Sequence, residues 1–395
     1  MNKSICIISQ SHLCKNPRVL KEAIALEANG NKITIVNSVF SKKLYQQDLD
    51  LVKGLNIKIK PISDLRFINL SSIFDKLVRR IGFLFVEKIK IENTYAIGYG
   101  ISRYLQNCIN INADLYIGHQ EVGLFVGTQL LKRKYTVVFD FEDWYTEDLL
   151  EKDKQKRPLN LMRRLEDYAL KNANITYTTS KCLAVSLAKT YNAPEPKVVY
   201  NVFDNDENIH EDKKFNDPVK LVWFSQTIGE GRGLEEFIEL MVNSKANFEL
   251  NLIGEINLNY KNLLVSKTQN KFLITFHELV KPNHLLKKLT EFDIGLALEQ
   301  TIPASRNLTI TNKFFQYLNA GLPIICSKTE GQEEIFNLHE PGMMLNDKSS
   351  ELNDIDEFLT DERKLNYKRQ MAIKTATIYN WQNEKMKLIN YLERV

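Results

Sequence analysis

Short, continuously apolar runs alternate with amphipathic stretches along most of this chain. Apolar runs without a regular polar face are typical of parallel strands that are covered on both sides of a sheet. The amphipathic stretch 17–30 between the first two runs predicts a covering helix that ends at Gly30. In the first half the predicted strands are 4–9, 32–37, 114–118, 136–141, 174–179 and 198–201. Strands and helices in this order predict a doubly wound α/β domain.

A second alternating series follows a charged segment with few apolar side chains, residues 204–218, which we interpret as a linker. The predicted strands of this half are 220–225, 248–253, 272–276, 294–297 and 323–326, the predicted helices are 235–241, 284–290 and 312–319, and the end from 361 to 395 is mostly helical. A length of 395 residues suits two domains. We predict an N-terminal domain of 1–203, joined by the helix 375–395, and a C-terminal domain of 219–374.

Composition excludes several classes of protein. Lys and Arg number 53 and Asp and Glu 49, a balance of +4, whereas a dedicated nucleic-acid binder usually carries a strongly basic domain. The five cysteines are scattered without a CxxC pair, so neither a zinc site nor a disulfide framework is expected. The apolar run 5–8 is too short for a signal-peptide core. We therefore expect a cytoplasmic protein.

The segment 309–325 suggests an anion site in the second half. Thr311 can cap a helix that Gly321 ends, and Pro323 opens the next strand. A helix N-terminus favours anions, so Lys313 in the first turn is easier to explain if a phosphate lies opposite it. The alternative, on equal terms, is a plain helix with a solvated lysine.

A loop with three glycines follows the predicted strand 220–225. Gly229, Gly231 and Gly233 would let the backbone approach a phosphate closely, and Arg232 could bind two phosphate oxygens. This spacing is not the dinucleotide-binding fingerprint. The alternative is a flexible turn with an exposed arginine.

Four blocks of sequence follow one another along the chain: Asn16-Pro17-Arg18-Val19-Leu20-Lys21-Glu22-Ala23, Val138-Phe139-Asp140-Phe141-Glu142-Asp143-Trp144, Arg164-Leu165-Glu166 with Ala173–Ser180, and Asn312-Lys313-Phe314-Phe315-Gln316-Tyr317 with Ala320-Gly321-Leu322-Pro323. Taken together and in this order, these blocks resemble the GT-B glycosyltransferases of the large retaining family four. The resemblance implies two Rossmann-like domains that face a central cleft. It also implies a sugar donor that is a nucleotide diphosphate sugar, an acceptor that is a glycan or lipid-linked sugar, and retention of anomeric configuration. The donor is a substrate, so neither a cofactor nor a metal is expected.

The resemblance also assigns roles to individual residues. Catalytic roles fall on His119, Arg232 and Lys313; donor binding on Gln226, Gly229, Gly231, Gly254, Arg306, Thr309, Thr311, Asn312 and Gln316; acceptor binding on His12, Arg18, Glu142 and Trp144. The chain departs from the family at three positions. Gln226 replaces the first of two basic residues on the donor diphosphate, and Leu308 and Gln316 replace two paired glutamates.

Each N-terminal assignment has a structural alternative. His119 could donate to a sugar hydroxyl, or it could be a strand-end histidine that the backbone satisfies. The cluster of Asp140, Glu142 and Asp143 followed by Trp144 favours an acceptor site with an aromatic platform over a metal site. The loop that holds His12 and leads to Arg18 could instead carry ordinary solvated charges.

The stretch 73–91 mixes apolar residues with five cations, Lys76, Arg79, Arg80, Lys88 and Lys90. It could lie at the inner face of the plasma membrane and reach a lipid-linked acceptor. The interpretation we favour from sequence is an amphipathic helix that packs its apolar face inward.

Two other functions are compatible with the sequence. A nucleotide-sugar epimerase on the same fold would use His119 and Glu142 in acid–base chemistry, whereas an inactive sugar-binding or scaffolding relative would explain Leu308 and Gln316. The family blocks favour a glycosyltransferase of cell-surface polysaccharide or lipopolysaccharide synthesis.

Overall fold

A computed structural model describes residues 2–204, 214–346 and 351–395. These residues form two compact units, which we call unit 1 (residues up to Val199 together with Lys385–Val395) and unit 2 (Tyr200–Glu384). Most of the predicted linker 204–218 lies outside the described residues, because 205–213 are not among them.

Unit 1 is built around a parallel sheet of seven strands. They are β1 (Ser4–Ile8), β2 (Lys32–Val39), β3 (Ile57–Asp64), β4 (Leu115–His119), β5 (Val137–Phe141), β6 (Ile175–Thr178) and β7 (Lys197–Val198). The order across the sheet is β3-β2-β1-β4-β5-β6-β7. The helices before residue 200 are α1 (Pro17–Ala28), α2 (Lys42–Leu51), α3 (Leu70–Leu84), α4 (Ile101–Ile111), α5 (Gln120–Leu131), α6 (Glu151–Lys154), α7 (Leu159–Asn172) and α8 (Lys181–Tyr191).

Unit 2 repeats the design with a parallel sheet of six strands. They are β8 (Val219–Thr227), β9 (Phe248–Glu255), β10 (Leu273–His277), β11 (Ile294–Ala297), β12 (Ile324–Cys326) and β13 (Gly342–Met344), in the order β10-β9-β8-β11-β12-β13. The helices that follow are α9 (Leu234–Met241), α10 (Leu258–Lys267), α11 (Pro282–Leu289), α12 (Ala304–Leu308), α13 (Asn312–Asn319), α14 (Glu330–His339), α15 (Glu351–Thr360), α16 (Glu362–Ile378) and α17 (Trp381–Leu392). The last turns of α17 belong to unit 1.

The predicted α/β class with two doubly wound sheets is confirmed. Because β1, β4, β5 and β11 are enclosed within their sheets, their residues are almost wholly buried, which explains their continuous apolar sequences. Two strands were missed. The strand β3 lies at a sheet edge and is interrupted by Pro61, and β13 has only three residues, so neither gives a strong apolar run.

Strand order reverses direction at one place in each sheet. In unit 1 this place lies between β1 and β4, and in unit 2 it lies between β8 and β11. In open parallel sheets, ligands bind beyond the carboxyl ends of the strands at such a switch point, since the helices on the two sides leave a crevice there. The loops after β1, β4, β8 and β11 are therefore the candidate ligand-binding loops.

The inward packing expected for the stretch 73–91 is wrong. The residues of α3 that are buried are Ser72, Asp75 and Gly82, whereas its leucines, its isoleucines and Phe74 lie on the surface. The helix is held by polar contacts, because the Asp75 carboxylate accepts hydrogen bonds from Ser63 and Arg103. Its apolar face is consequently left in solvent.

Within residues 2–204, 214–346 and 351–395, no helix combines the length and the apolar character that crossing a bilayer requires.

Candidate functional site

The loop after β8 holds Arg232 between two glycines in the left-handed region. Gly231 has φ 73° and Gly233 has φ 78°, a backbone conformation that a side chain would strain. The carbonyl oxygen of Gly231 accepts a hydrogen bond of 3.0 Å from Arg306 Nη1. Gly233 is the N-cap residue of α9. The glycines therefore set the turn that presents Arg232 at the switch point of unit 2.

Glu299, in the loop after β11, forms ion pairs with Arg232 and Arg306 at the carboxyl-end edge of the sheet. Its Oε2 lies 2.9 Å from Arg232 Nη1, and its Oε1 lies 3.8 Å from Arg306 Nη1. The Glu299 side chain is 7% exposed, while those of Arg232 and Arg306 are 39% and 26% exposed. One buried carboxylate thus forms ion pairs with two guanidinium groups that are partly exposed to solvent.

Lys313 completes the cluster from the first turn of α13. Its ammonium lies 4.8 Å from the centroid of the Trp223 ring and makes no hydrogen bond to any described residue. Burial lowers the pKa of Lys313 to about 8; Glu299 opposes this shift, and Arg232 and Arg306 add to it. A buried ammonium that lies close to two other cations is a candidate group for binding an anion.

We call Arg232, Arg306, Lys313 and Glu299 the cation cluster. Three positive groups against one carboxylate leave an excess of two positive charges when Lys313 is protonated. A diphosphate matches this excess, since guanidinium groups bind phosphate oxygens in pairs. The structure therefore brings together the predicted Arg232, Arg306 and Lys313.

The start of α13 adds backbone donors to the same edge. Thr311 occupies the N-cap position, as predicted, but its side chain makes no capping hydrogen bond, so that part of the prediction is wrong. Its carbonyl oxygen instead accepts from the backbone N–H of Phe314 at 3.0 Å. The N–H groups at the start of the helix are consequently not covered by the Thr311 hydroxyl, and the positive end of the helix dipole stays available to an anion.

The other predicted donor residues differ in what they offer. Gln226 is exposed at the end of β8, and Gln316 is half-buried with no side-chain hydrogen bond to a described residue. The Asn312 side chain already accepts a hydrogen bond of 2.9 Å from Asn201. A methyl group on Gly229 would meet no atom within 4 Å, so open space surrounds this glycine.

Gly254 and Thr309 have structural explanations instead. A side chain at Gly254, which is buried in β9 with φ 148°, would collide with the carbonyl oxygen of Ser225 on β8. Thr309 is the C-cap residue of α12, and its carbonyl lies against Gly331. We therefore reassign Gly254 from donor binding to the packing of two strands. Leu308 is 6% exposed, so an apolar side chain fills the position of the first family glutamate.

A cavity of about 550 Å³ adjoins the cation cluster. Gly233 and Glu299 form part of its wall, and Leu298, Ser327 and Lys328 lie at the ends of β11 and β12. Its size is within the range of ~300–1,000 Å³ that small-molecule sites occupy. Glu299 is the member of the cation cluster that lines the cavity, so the charged edge and the cavity meet at its side chain within unit 2.

In unit 1, His119 at the end of β4 lies in a network of carboxylates. Its Nδ1 is 2.9 Å from Glu142 Oε1, and its Nε2 bonds Glu22 of α1. Burial lowers the pKa of His119, but Glu22, Glu142 and Asp140 outweigh it and raise the pKa to about 10. The imidazole is therefore charged at neutral pH. Because His119 is 0% exposed, it has no surface to offer a sugar, and its satisfied partners are carboxylates, not the backbone.

The predicted acceptor residues His12 and Arg18 are also internal. The Nε2 atom of His12 accepts from the Phe40 N–H at 3.0 Å, and its Nδ1 lies 2.6 Å from Asp48. Arg18 is bidentate to Asp140 and donates to the Val199 carbonyl at 2.9 Å. Both side chains are more than nine-tenths buried. They hold the fold together, so we reassign them from acceptor binding to structural roles.

Trp144 is 9% exposed, and its ring meets the Tyr191 ring edge-on, with the ring centroids 6.4 Å apart. The prediction that Trp144 forms an exposed aromatic platform is therefore wrong.

Glu142 retains 16% side-chain exposure. Burial raises the pKa of Glu142, but His119 and Asn16 outweigh this effect, so that the pKa lies below its usual value. Glu142 is therefore an anion at the edge of unit 1.

Asp143 beside it is half-buried and behaves differently. Burial, with the nearby charges of Asp148, Glu142 and Asp140, raises the pKa of Asp143 to about 8. This edge thus pairs an ionised carboxylate with one that is protonated at neutral pH. Two carboxyl groups whose pKa values are pushed apart can take different roles, one accepting hydrogen bonds and the other donating them.

Ligand atoms of Glu22, His119 and Asp140 lie within 4.8 Å of one another, the spacing of a metal site. However, Arg18 already neutralises Asp140, and Tyr177 donates to Glu22. Three carboxylates, counting Glu142, face two cations, Arg18 and His119. The geometry therefore fits a self-contained ionic network better than a metal centre.

Sequence reasoning missed Glu299. The signal was present, because Glu299 comes two residues after the apolar strand 294–297, at the edge where parallel sheets bind ligands. Without the tertiary structure nothing indicated that its carboxylate would meet Arg232, which is 67 residues away in sequence.

Comparisons with known proteins agree with this description. Residues 232–386, which include the cation cluster, match the model of a family described as glycosyl transferase-like. No curated protein sequence matches the chain. In fold, the chain is similar to sucrose-phosphate synthase from Thermosynechococcus elongatus, with a TM-score of 0.71 at 12% identity over 100% of this chain and 99% of that one.

Two further solved structures are similar in fold. Anabaena HepE in complex with UDP-glucose has a TM-score of 0.67 at 13% identity, over 100% of both chains. WaaG, a glycosyltransferase involved in lipopolysaccharide biosynthesis, has a TM-score of 0.63 at 10% identity, over 97% of this chain and 98% of that one. The fold is that of the GT-B glycosyltransferases, and the resemblance stated from the sequence is confirmed at this level.

Proposed function

We propose that this chain is a glycosyltransferase that moves a sugar from a nucleoside diphosphate sugar to a hydroxyl group of a glycan or lipid-linked acceptor. The observation that carries the proposal is the cation cluster, in which three positive groups surround one carboxylate at the switch point of unit 2. The cluster lies within the segment that matches the glycosyl transferase-like family. The HepE structure in complex with UDP-glucose supports a nucleotide-sugar donor for a chain of this fold.

In this proposal Arg232 and Lys313 bind the diphosphate and stabilise the negative charge that grows on it as the glycosidic bond breaks. Fixed donors that stabilise the charge of a leaving group usually contribute more to such catalysis than any other effect. Arg306 adds a third cation, and the N–H groups at the start of α13 add the positive end of a helix dipole. These groups can carry the charge of the leaving diphosphate, so we propose that the reaction needs no resident cofactor or metal.

We propose that the acceptor is held by unit 1 at the end of β5. Glu142 presents a partly exposed carboxylate there, and Asp143 next to it is protonated at neutral pH. Retention of configuration, and a role in cell-surface polysaccharide or lipopolysaccharide synthesis, are the finer parts of the proposal. They rest on the sequence resemblance and on the similarity to WaaG.

The test is nucleotide release from a panel of nucleoside diphosphate sugars, with and without a lipid extract that contains candidate acceptors. We expect one donor to yield nucleotide only when acceptor is present. Arg232→Ala should lower that rate by ~100-fold or more, as expected when a charge-stabilising donor is removed. The matched control is Arg363→Ala, since Arg363 is an exposed arginine on α16 of the same unit.

The outcomes separate the alternatives. An altered sugar nucleotide formed without any acceptor would assign the chain to the epimerases. Nucleotide binding without turnover, unchanged by Arg232→Ala in a cellular glycan assay, would identify an inactive relative. A rate that Arg363→Ala lowers as much as Arg232→Ala would contradict the assigned site.

A further inference from the structure

The helix α3 of unit 1 buries its polar face and exposes its apolar face, the reverse of an ordinary amphipathic helix. Its inward face carries Ser72, Asp75 and Gly82, and the Asp75 carboxylate is fixed by Ser63 and Arg103. Its outward face is apolar: Leu70 is 89% exposed and Phe74 is 59% exposed. Apolar surface in water is unfavourable at ~25 cal/mol per Å², so a helix fixed in this orientation implies something that covers it.

The exposed apolar surface is concentrated around this helix. Of the 28 large apolar side chains that are exposed in the described part of the chain, 12 lie between residues 67 and 95. They are Phe67, Ile68, Leu70, Ile73, Phe74, Leu77, Ile81, Leu84, Phe85, Ile89, Ile91 and Tyr95. We call this set the α3 patch. Scattered exposed leucines are normal in soluble proteins, whereas a contiguous patch of this kind marks a binding surface.

Helical spacing shows that the six members of the patch on α3 form one face of the helix. Residues three, four and seven positions apart lie on the same side of a helix, and Leu70, Ile73, Phe74, Leu77, Ile81 and Leu84 follow this spacing. Lys76 and Arg80, four positions apart, lie along one border of the face next to Ile73 and Leu77. Both of these cations are exposed.

The charge of the surrounding segment is positive. Residues 70–91 contain five cations and two acids, a net charge of +3. One of the two acids, Asp75, is buried and already bonded to Arg103, so the accessible charge is more positive still. Lys42 of α2 also lies over the Phe67 ring, with its ammonium 4.9 Å from the ring centroid.

We propose that the α3 patch is a docking surface for an anionic lipid bilayer. The apolar face enters the boundary between headgroups and acyl chains, and Lys76, Arg80, Lys88 and Lys90 contact the anionic headgroups. This combination of a wide apolar face with leucine, isoleucine and phenylalanine and a basic border is the pattern of helices that lie in the membrane interface. A second copy of the chain fits less well, because a symmetric contact would bring the two basic borders towards each other.

The use of this surface rests on the proposed function, since a lipid-linked acceptor gives the enzyme a reason to lie on a membrane. The binding itself does not depend on donor or acceptor. It can therefore be measured without them, and its failure leaves the transferase assay untouched.

The experiment is flotation of the full chain with vesicles of phosphatidylglycerol and phosphatidylcholine, compared with vesicles of phosphatidylcholine alone. We expect the chain to float with the anionic vesicles, weakly with the neutral ones, and less at high salt, because salt screens the headgroup charge. The double variant Lys76→Ala/Arg80→Ala should lower the partition coefficient at least ~10-fold. Leu77→Asp should lower it at least ~10-fold as well, since it places a carboxylate in the inserted face.

The matched control is Leu338→Asp, which makes the same change at a leucine that is 71% exposed on α14 of unit 2. This variant should float like the unaltered chain, and circular dichroism should show that all variants are folded. Equal flotation of the Leu77→Asp and Leu338→Asp variants, or the absence of flotation with anionic vesicles, would overturn the proposal. So would a dimer in sedimentation that Leu77→Asp converts to a monomer without any effect of lipid.

Discussion

At the scale of single residues, burial together with the partners already bonded decides which charged groups are available to a ligand. Arg18 and Arg232 each pair with a carboxylate, Asp140 and Glu299. Arg18, however, is only 6% exposed, and its N–H groups donate to partners inside unit 1. Arg232 keeps 39% of its side chain in solvent. The sequence could name both arginines, since each lies in a family-like block. Only the three-dimensional packing shows that one is structural and the other is available.

The shifted pKa of Lys313 gives a prediction for donor binding. Burial holds this pKa at about 8, so Lys313 loses its proton as the pH rises through that value. Because an anion prefers the protonated form, the affinity for UDP should fall by about tenfold from about pH 7 to about pH 9. The measurement is a titration calorimetry series over this range.

The control for this series is Lys313→Met, which removes the charge while keeping a long unbranched side chain. This variant should bind UDP more weakly at about pH 7 and show little further change up to about pH 9. A pH dependence in the variant as steep as that of the unaltered chain would assign the titration to another group.

At the scale of elements, the position of α13 depends on how closely it can approach the sheet. Gly295 on β11 has no side chain, and a methyl group there would collide with the ring of Tyr317 on α13. Tyr317 is 0% exposed and its ring also meets Phe224 of β8 edge-on, so it has no room to move aside. The sequence predicted the bounds of α13 correctly, but not this contact, which joins two residues on different elements.

Gly295→Ala should therefore push α13, and Lys313 with it, away from the sheet. Overpacking of this kind costs about 1–3 kcal/mol of unfolding free energy, and it should also weaken UDP binding. Denaturant unfolding and calorimetry of the same sample measure the two effects.

Gly229→Ala is the matched control, because no atom lies within 4 Å of the added methyl group and its backbone is not left-handed. It should leave the unfolding free energy within about 0.5 kcal/mol of the unaltered value. If the two alanine variants are equally stable, the close packing of α13 on β11 is not a determinant of the fold.

At the scale of the whole molecule, the chain crosses from unit 2 back to unit 1 within α17. Unit 1 ends at Val199 and resumes with Lys385–Val395, so it is completed by a segment from the far end of the sequence. Leu388 and Leu392 are 1% and 4% exposed there. Unit 1 is therefore expected to need both ends of the chain for its full stability.

Leu388→Ala tests this dependence. Truncating a buried leucine leaves a cavity and should lower the unfolding free energy of unit 1 by about 2–5 kcal/mol. The control on the same helix is Met386→Ala, since Met386 is 56% exposed and should change stability by less than about 0.5 kcal/mol. Denaturant unfolding measures both free energies. If the two variants lose a comparable amount of unfolding free energy, the destabilisation comes from the helix itself and not from its packing.

The sequence by itself determined the two doubly wound sheets, the position of Arg232 in a glycine loop after a strand and the position of Lys313 in the first turn of a helix. Buried parallel strands must be apolar throughout, and turns that need left-handed backbone must carry glycine, so both leave a local record in the residue order. The tertiary structure alone decided that Glu299 orients Arg232, that His119 is enclosed by Glu22 and Glu142, and that α3 turns its apolar face outward. Each of these depends on partners far away in sequence, and the amphipathic pattern of a helix does not record which of its faces the rest of the fold will cover.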